Sequence, residues 1–295
     1  MGKTSIEWCD FTFNPWCGCT KVSAGCAHCY AEKQAKRNPG VLGVWGDDGT
    51  RVIASKSYWR QPLAWDRAAM KAGERHRVFC ASMADVFEER PELAEPRYHL
   101  FDLIDTTPNL DWLLLTKRPQ NIRKMWPGGC FTDEGRTIRL KHRSNVWLGT
   151  SVENQPTADE RIPHLFACHE LSPVLFLSME PLLGPVAAWP GLRQYLRWAI
   201  VGGESGDGAR PLNPDWARSI RDQCIAQRVP FFFKQWGHWA PWDDDNWTMP
   251  AGWDDVQWSD HRQMLNGVEM LPVGKNRAGR LLDGRTWDEM PEVTR

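Results

Sequence analysis

Six short apolar runs recur along the chain, each closing on polar or charged residues: VFCAS (78–82), DWLLLTKRP (111–119), NVWLGTSVEN (145–154), VLFLSMEPL (174–182), WAIVGGESG (198–206) and PFFFKQWG (230–237). Their hydrophobicity is continuous rather than alternating, as in strands covered on both faces of a parallel sheet. FTFNP (11–15) adds a seventh unit. The intervening segments carry helix signals. In 213–228, Asn213 stands as N-cap before Pro214, and Trp216, Ile220, Cys224 and Ile225 form one stripe. A second helix is predicted at 93–105 from the spacing of Leu93, Leu100, Leu103 and Ile104, and a third begins at Pro119 and runs over 119–126. The series predicts an α/β chain folded as a TIM-type parallel β/α barrel, complete or partial, with a doubly wound open sheet as the alternative. No long polar linker divides it, so 1–295 reads as one barrel domain, with 235–295 as a Trp-rich C-terminal extension. Residues 38–60 read as a loop with a small hairpin, and both appendages are expected over the barrel mouth.

Charge narrows the partners. With 36 basic and 37 acidic residues the net charge is -1, so no bulk field favours non-specific nucleic-acid binding. No apolar run reaches membrane-span length and MGKTSIEWCD has no apolar leader core, so a cytoplasmic protein without membrane contact is expected.

Of nine cysteines, four crowd residues 17–29, while Cys80, Cys130, Cys168 and Cys224 stand singly and are expected as small buried hydrophobes. Clustering in a chain of this length favours a metal or cluster site over a disulfide framework. In CTKVSAGCAHCY (19–30), Cys26 and Cys29 are spaced to turn both sulfurs inward after Gly25, and Cys19 closes the loop. Three readings fit the residues: a zinc site completed by Cys17 or His28, a [4Fe–4S] cluster whose three cysteines leave one iron open, or incidentally buried thiols.

The same stretch resembles the cluster loop of the radical S-adenosylmethionine (SAM) superfamily. More widely, the segments from SIEWCDFTFNPWCGCTKVSAGCAHCYAE through LLLTKRP, VWLGTSVEN, LFLSMEPL, IVGGESG and FFFKQWG to GRLLDGRTWDEMP resemble a phage- and prophage-borne three-cysteine-motif family of radical-SAM-like proteins. The resemblance implies a [4Fe–4S] cluster on Cys19, Cys26 and Cys29, SAM on the open iron, a 5′-deoxyadenosyl radical and a reductant of flavodoxin or ferredoxin type. Six residues separate Cys19 from Cys26, more than the three common in the superfamily, and His28 stands where an aromatic residue usually packs by the adenine. The superfamily's Gly-Gly-Glu segment follows its second strand. Here that place holds Ser82 to Asp85, to which the SAM-amino role is carried, while Gly202-Gly203-Glu204 comes several strands later.

In a barrel the loops after the strands gather at one face. Asp85; Thr116, Lys117 and Arg118; Ser151, Glu153 and Asn154; Glu180; Glu204 and Ser205; and Lys234 and Gln235 all occupy such positions. Each is also readable as a helix cap or a solvated terminus. By the resemblance, Ser151, Glu153 and Asn154 lie near the SAM ribose or carboxylate. Lys117, Arg118 and Lys234 suit an anionic group. Glu180, Glu204 and Gln235 suit orienting a substrate or moving a proton, so Glu180, Glu204 and Lys234 are the expected catalytic set. The phage association suggests a nucleotide or a nucleic-acid base as substrate. Six of eighteen tryptophans (Trp236, Trp239, Trp242, Trp247, Trp253, Trp258) crowd residues 236–258; most are expected as packing, with Trp236, Trp239 and Trp242 able to stack a base. The basic GKNRAGRLLDGR (274–285) reads as a phosphate contact or a cap in which Leu281 and Leu282 pack on the barrel. The rival functional class is a binding module held by zinc or an inert cluster. A SAM-independent iron–sulfur redox or repair protein is the third.

Overall fold

The computed structural model describes residues 4–131, 138–187, 192–242, 263–265 and 267–293. Seven parallel strands form one sheet: β1 (Phe11–Thr12), β2 (His76–Cys80), β3 (Leu110–Thr116), β4 (Val146–Ser151), β5 (Val174–Met179), β6 (Leu196–Gly202) and β7 (Phe231–Gln235). Spatial order follows chain order, with β1 and β7 at the two ends. The longer helices are α1 (Tyr30–Arg37), α2 (Gln61–Ala72), α3 (Ala94–Asp105), α4 (Gln155–Phe166) and α5 (Pro214–Gln227).

Alternation along each strand sorts the core into two layers. Phe79, Leu113, Trp147, Val174, Phe176, Trp198, Ile200 and Phe232 gather on one face with Trp8. Their neighbours Val78, Trp112, Leu114, Leu148, Leu175, Leu177, Val201 and Phe233 join the larger core on the other. Both layers are apolar, which is why the strands read as continuous runs. The inner layer shows the curl. The Trp8 rings lie 4.7 Å from Phe79 on β2 and 6.2 Å from Trp198 on β6. Four flat strand spacings would separate β2 from β6 by about 19 Å. The sheet therefore wraps into a half-barrel around Trp8, the partial form of the predicted barrel.

The outer edge of β7 is covered. Phe232 bridges Asp288 antiparallel, and the Phe233 and Glu289 amides donate to the carbonyls of Trp287 and Phe231.

The appendages differ from expectation. Val52–Ile53 pairs with Trp16–Cys17, not within 38–60, so that segment stitches the cysteine loop down instead of forming its own hairpin. Trp236 and Trp239 are 5% and 7% exposed, and their indole N–H groups donate to the carbonyls of Leu281 and Ala209. They are packing residues, not base platforms. Trp247, Trp253 and Trp258 lie outside the described residues. Leu282 is buried whereas Leu281 is exposed, and on α5 the buried stripe is Ala217, Ile220 and Cys224, with Ile225 outside. Cys80, Cys168 and Cys224 are buried as expected. Among the described residues no helix is long and apolar enough to cross a membrane.

Candidate functional site

The cysteine loop follows β1, which sets it at the C-terminal mouth of the half-barrel, where such folds build sites. Its start is pinned by backbone. The Gly18 amide donates to Met83, and Gly18 sits at φ +115°, where a Cβ would meet the Thr50 carbonyl at 2.6 Å. Cys29 is the N-cap residue of α1 and makes no side-chain capping hydrogen bond, but the nearby Ala31 and Glu32 amides favour its ionised form.

Cys19, Cys26 and Cys29 are free thiols, each partly exposed. Burial, reinforced by Asp85, pushes the Cys19 thiol up to about 12 even though Arg118 opposes it. Burial also raises Cys29 against the α1 amides. Arg118 Nη1 stands 3.6 Å from Cys19 Sγ, and the Ser23 hydroxyl 3.9 Å from Cys26 Sγ. Cys17 lies on a short strand paired with Val52, upstream of the other three cysteines of the loop.

Beneath Cys19 lies a buried ionic lattice. Arg118 Nη1 donates to Asp85 at 2.9 Å and Nη2 to the Thr20 carbonyl at 2.8 Å. Asp85 also accepts from the Thr116 hydroxyl and the Phe87 and Lys117 amides, so both its oxygens are engaged. Arg51 forks onto Glu88 with both contacts at 2.7 Å, and the Thr20 amide donates to the same carboxylate. Glu153, fully buried, accepts from Ser23 at 2.8 Å and pairs with Lys117 at 3.2 Å and Arg161 at 3.1 Å. Burial pushes its carboxyl up, but the charges of Lys117 and Arg161 and the Ser23 hydrogen bond outweigh that and hold it below the usual carboxylate range. A Cβ on Gly25 would lie 2.4 Å from Glu153 Oε1, so the loop rests directly on this carboxylate.

A second link joins the loop to the segment after β6. Glu204 Oε2 stands 3.4 Å from His28 Nδ1 and Oε1 2.7 Å from Arg210, whose guanidinium also donates to the Ala24 carbonyl. Burial acts upward on Glu204 and is overcome by the Arg210 hydrogen bonds, so its carboxyl stays low. The Gly-Gly pair before it is a packing necessity. A Cβ on Gly203 would fall 1.8 Å from the Trp236 carbonyl, and one on Gly202 2.5 Å from Glu180 Oε1.

Inside the mouth, β6 and β7 slip register between Val201 and Gly202, making Lys234 the extra residue. The bulge turns it inward. Lys234 Nζ donates to Glu180 Oε2 at 3.0 Å and hangs 5.9 Å over Trp8, while Glu180 Oε1 is buried with no hydrogen-bond partner. Tyr30 exposes 54% of its surface, and its hydroxyl donates to the Ser82 carbonyl at 2.8 Å. Desolvation, followed by the nearby Cys29, raises the phenol. The Ser82 hydroxyl bonds with Asn14.

The predicted residues thus gather at one mouth, in three groups: the loop with Asp85, Lys117 and Glu153; His28 with Glu204; and Glu180 with Lys234. Ser151 is buried beside them, its carbonyl accepting from Arg161. Asn154 is spent on a capping box with Thr157, the helix-cap alternative for that position. Lys234 faces a carboxylate, so its charge is already met rather than free for an anion. Arg51, Glu88, Arg161 and Arg210 carried no local signal in the sequence. Tyr30, next to Cys29, was visible there and not singled out.

The donor set fits an iron–sulfur cluster. Among the described residues no three His, Cys, Asp or Glu side chains converge to hold a single metal ion, as a preformed zinc site requires. In a cluster each thiolate takes its own iron, and a donor such as Arg118 beside Cys19 suits anionic sulfur.

Two solved structures resemble the chain: a spore photoproduct lyase with a cysteine-to-serine substitution (TM-score 0.47, 12% identity, covering 94% of this chain and 72% of that one) and one with a tyrosine-to-phenylalanine substitution (TM-score 0.44, 10% identity, covering 92% and 71%). No curated protein matches the sequence. Residues 3–291 match the family described as "protein of unknown function (DUF5131)", and the chain belongs to that family.

Proposed function

We propose that this protein is an iron–sulfur enzyme of the radical SAM type that acts on a nucleotide or a nucleic-acid base. The observation that carries the reading is the placement of three free thiols on one loop at the mouth of a half-barrel, ringed by Arg118, Lys117 and the amide end of α1. Cys19, Cys26 and Cys29 would hold the cluster. The chemistry the bound cluster would supply is one-electron reduction of SAM, with a flavodoxin- or ferredoxin-type protein as the electron source, so that cleavage of the C5′–S bond would give methionine and a 5′-deoxyadenosyl radical able to take hydrogen from the substrate.

The chain's own residues divide into two tasks. Asp85, Arg118, Glu153 and Arg161 act from behind, fixing the loop in a region too buried for water to soften their charges. On the open side, His28, 33% exposed at its side chain, forms the cofactor wall with Ser82 and Lys117, and Glu204 stands 3.4 Å from His28. Glu180 and Lys234 take the substrate. Their mutual pairing already meets the Lys234 charge and leaves its remaining ammonium hydrogens as donors, which suits the edge of a heterocycle better than a phosphate. The near-balanced charge of the chain favours a single extruded base or free nucleotide over an extended duplex.

The test is anaerobic reconstitution with iron and sulfide, followed by electron paramagnetic resonance of the dithionite-reduced protein with and without SAM. A [4Fe–4S] signal that shifts on adding SAM and is lost in Cys19→Ala, Cys26→Ala and Cys29→Ala is expected. A protein that takes up zinc alone, or a cluster indifferent to SAM, would sink the proposal and favour a binding module or a SAM-independent redox protein.

A further inference from the structure

The three thiols are not equivalently surrounded. Near Cys26 stands a neutral hydroxyl whose proton goes to Glu153, and Cys29 makes no capping hydrogen bond to α1, but Cys19 faces a full guanidinium. We propose that Arg118 is a positioning residue that fixes the Cys19 sulfur and raises the reduction potential of the cluster at that corner; the inference rests on the cluster reading above.

The geometry leaves Arg118 no other place to go. Its backbone amide donates to the Thr116 hydroxyl, Nη1 bridges Asp85 and Cys19, and Nη2 reaches the Thr20 carbonyl, with Glu88 at 3.5 Å. Asp85 and Glu88 are in turn locked by Thr116, by the Lys117 and Thr20 amides and by Arg51. A guanidinium stays charged in proteins at any ordinary pH. An N–H donor aimed at a ligating sulfur draws electron density from the Fe–S bond, and outer-shell hydrogen bonds of this kind are a principal lever on cluster potential. Here the donor is cationic and shielded from solvent, which strengthens the effect. Thr20, next to Cys19, is held by the same lattice, so position and potential are set by one side chain.

The experiment compares wild type, Arg118→Lys and Arg118→Met after anaerobic reconstitution, reading iron and sulfide per chain and the midpoint potential by a redox titration followed by electron paramagnetic resonance without SAM. Arg118→Met is expected to take up the cluster with its reduction equilibrium lowered about tenfold, about 59 mV for a one-electron couple. Arg118→Lys, keeping charge but losing the fork, is expected to fall between. Loaded variants with the wild-type potential overturn the inference while leaving the cluster reading intact. Should Arg118→Met fail to fold or load, the potential of loaded Arg118→Lys decides the matter. Wild type that takes up no iron overturns the cluster reading itself.

Discussion

Replacing Arg51 with methionine tests the lattice under the cysteine loop. The Arg51 side chain has no solvent exposure and Glu88 has 4%. The substitution removes the fork onto Glu88 together with the bonds to the Thr20 hydroxyl and the Thr50 carbonyl. Removing one member of a buried pair costs about 3–5 kcal/mol, because the other charge stays behind. Here the lower end applies, since the Thr20 amide still donates to Glu88 and Arg118 stands 3.5 Å away. An unfolding entropy of about 2.1 cal/mol/K per residue gives about 0.6 kcal/mol/K for this chain. A loss of about 3 kcal/mol then lowers the melting temperature by about 5 °C. Differential scanning calorimetry measures it directly. The double variant Arg51→Met/Glu88→Leu should recover part of the loss, because an apolar pair of similar volume removes the stranded charge. A single variant within about 0.5 kcal/mol of wild type, or a double variant as unstable as the summed singles, would refute the reasoning.

Two further substitutions probe other joints. Gly203→Ala drives a Cβ against the Trp236 carbonyl, a backbone atom that cannot rotate away, and should destabilise by about 1–3 kcal/mol or more in urea titration; Gly40→Ala, with nothing near its Cβ, should be silent. Glu153 and Glu204 are held below their unfolded value, so they contribute stability above about pH 4.3 that disappears as pH falls through the depressed folded values. Glu153→Gln and Glu204→Gln should therefore each flatten the acid limb of a stability-against-pH curve, and an unchanged acid limb would contradict the assigned pairings.

The strands were legible because a parallel strand covered on both faces writes itself as an apolar run. Its start was not: β2 begins at His76, two residues before the run, because His76 and Arg77 pair through backbone with Leu110 and Asp111 whatever their side chains. α5 was read almost to the residue, since Asn213 caps locally. α1 was missed because only Ala31 and Ala35 are buried in YAEKQAKR, too small a stripe to stand out. At the site, the polar residues after each strand could be found from position alone. Their partners could not, because Arg51 meets Glu88 and Ser23 meets Glu153 across long stretches of chain. Tryptophan density suggested base stacking at Trp236 and Trp239, whereas tertiary packing had claimed both rings.

The covering of β7 bears on biogenesis. Among the described residues the seventh strand gains its outer neighbour from residues 287–289, more than fifty positions downstream. A nascent chain that has emerged through β7 but not yet through Trp287 shows a row of unsatisfied amides and carbonyls on an aromatic strand, FFFKQ. Such an edge is a template for pairing with another copy. The late segment therefore closes an edge that, while translation stands between residues 236 and 286, is still open to pairing with another strand.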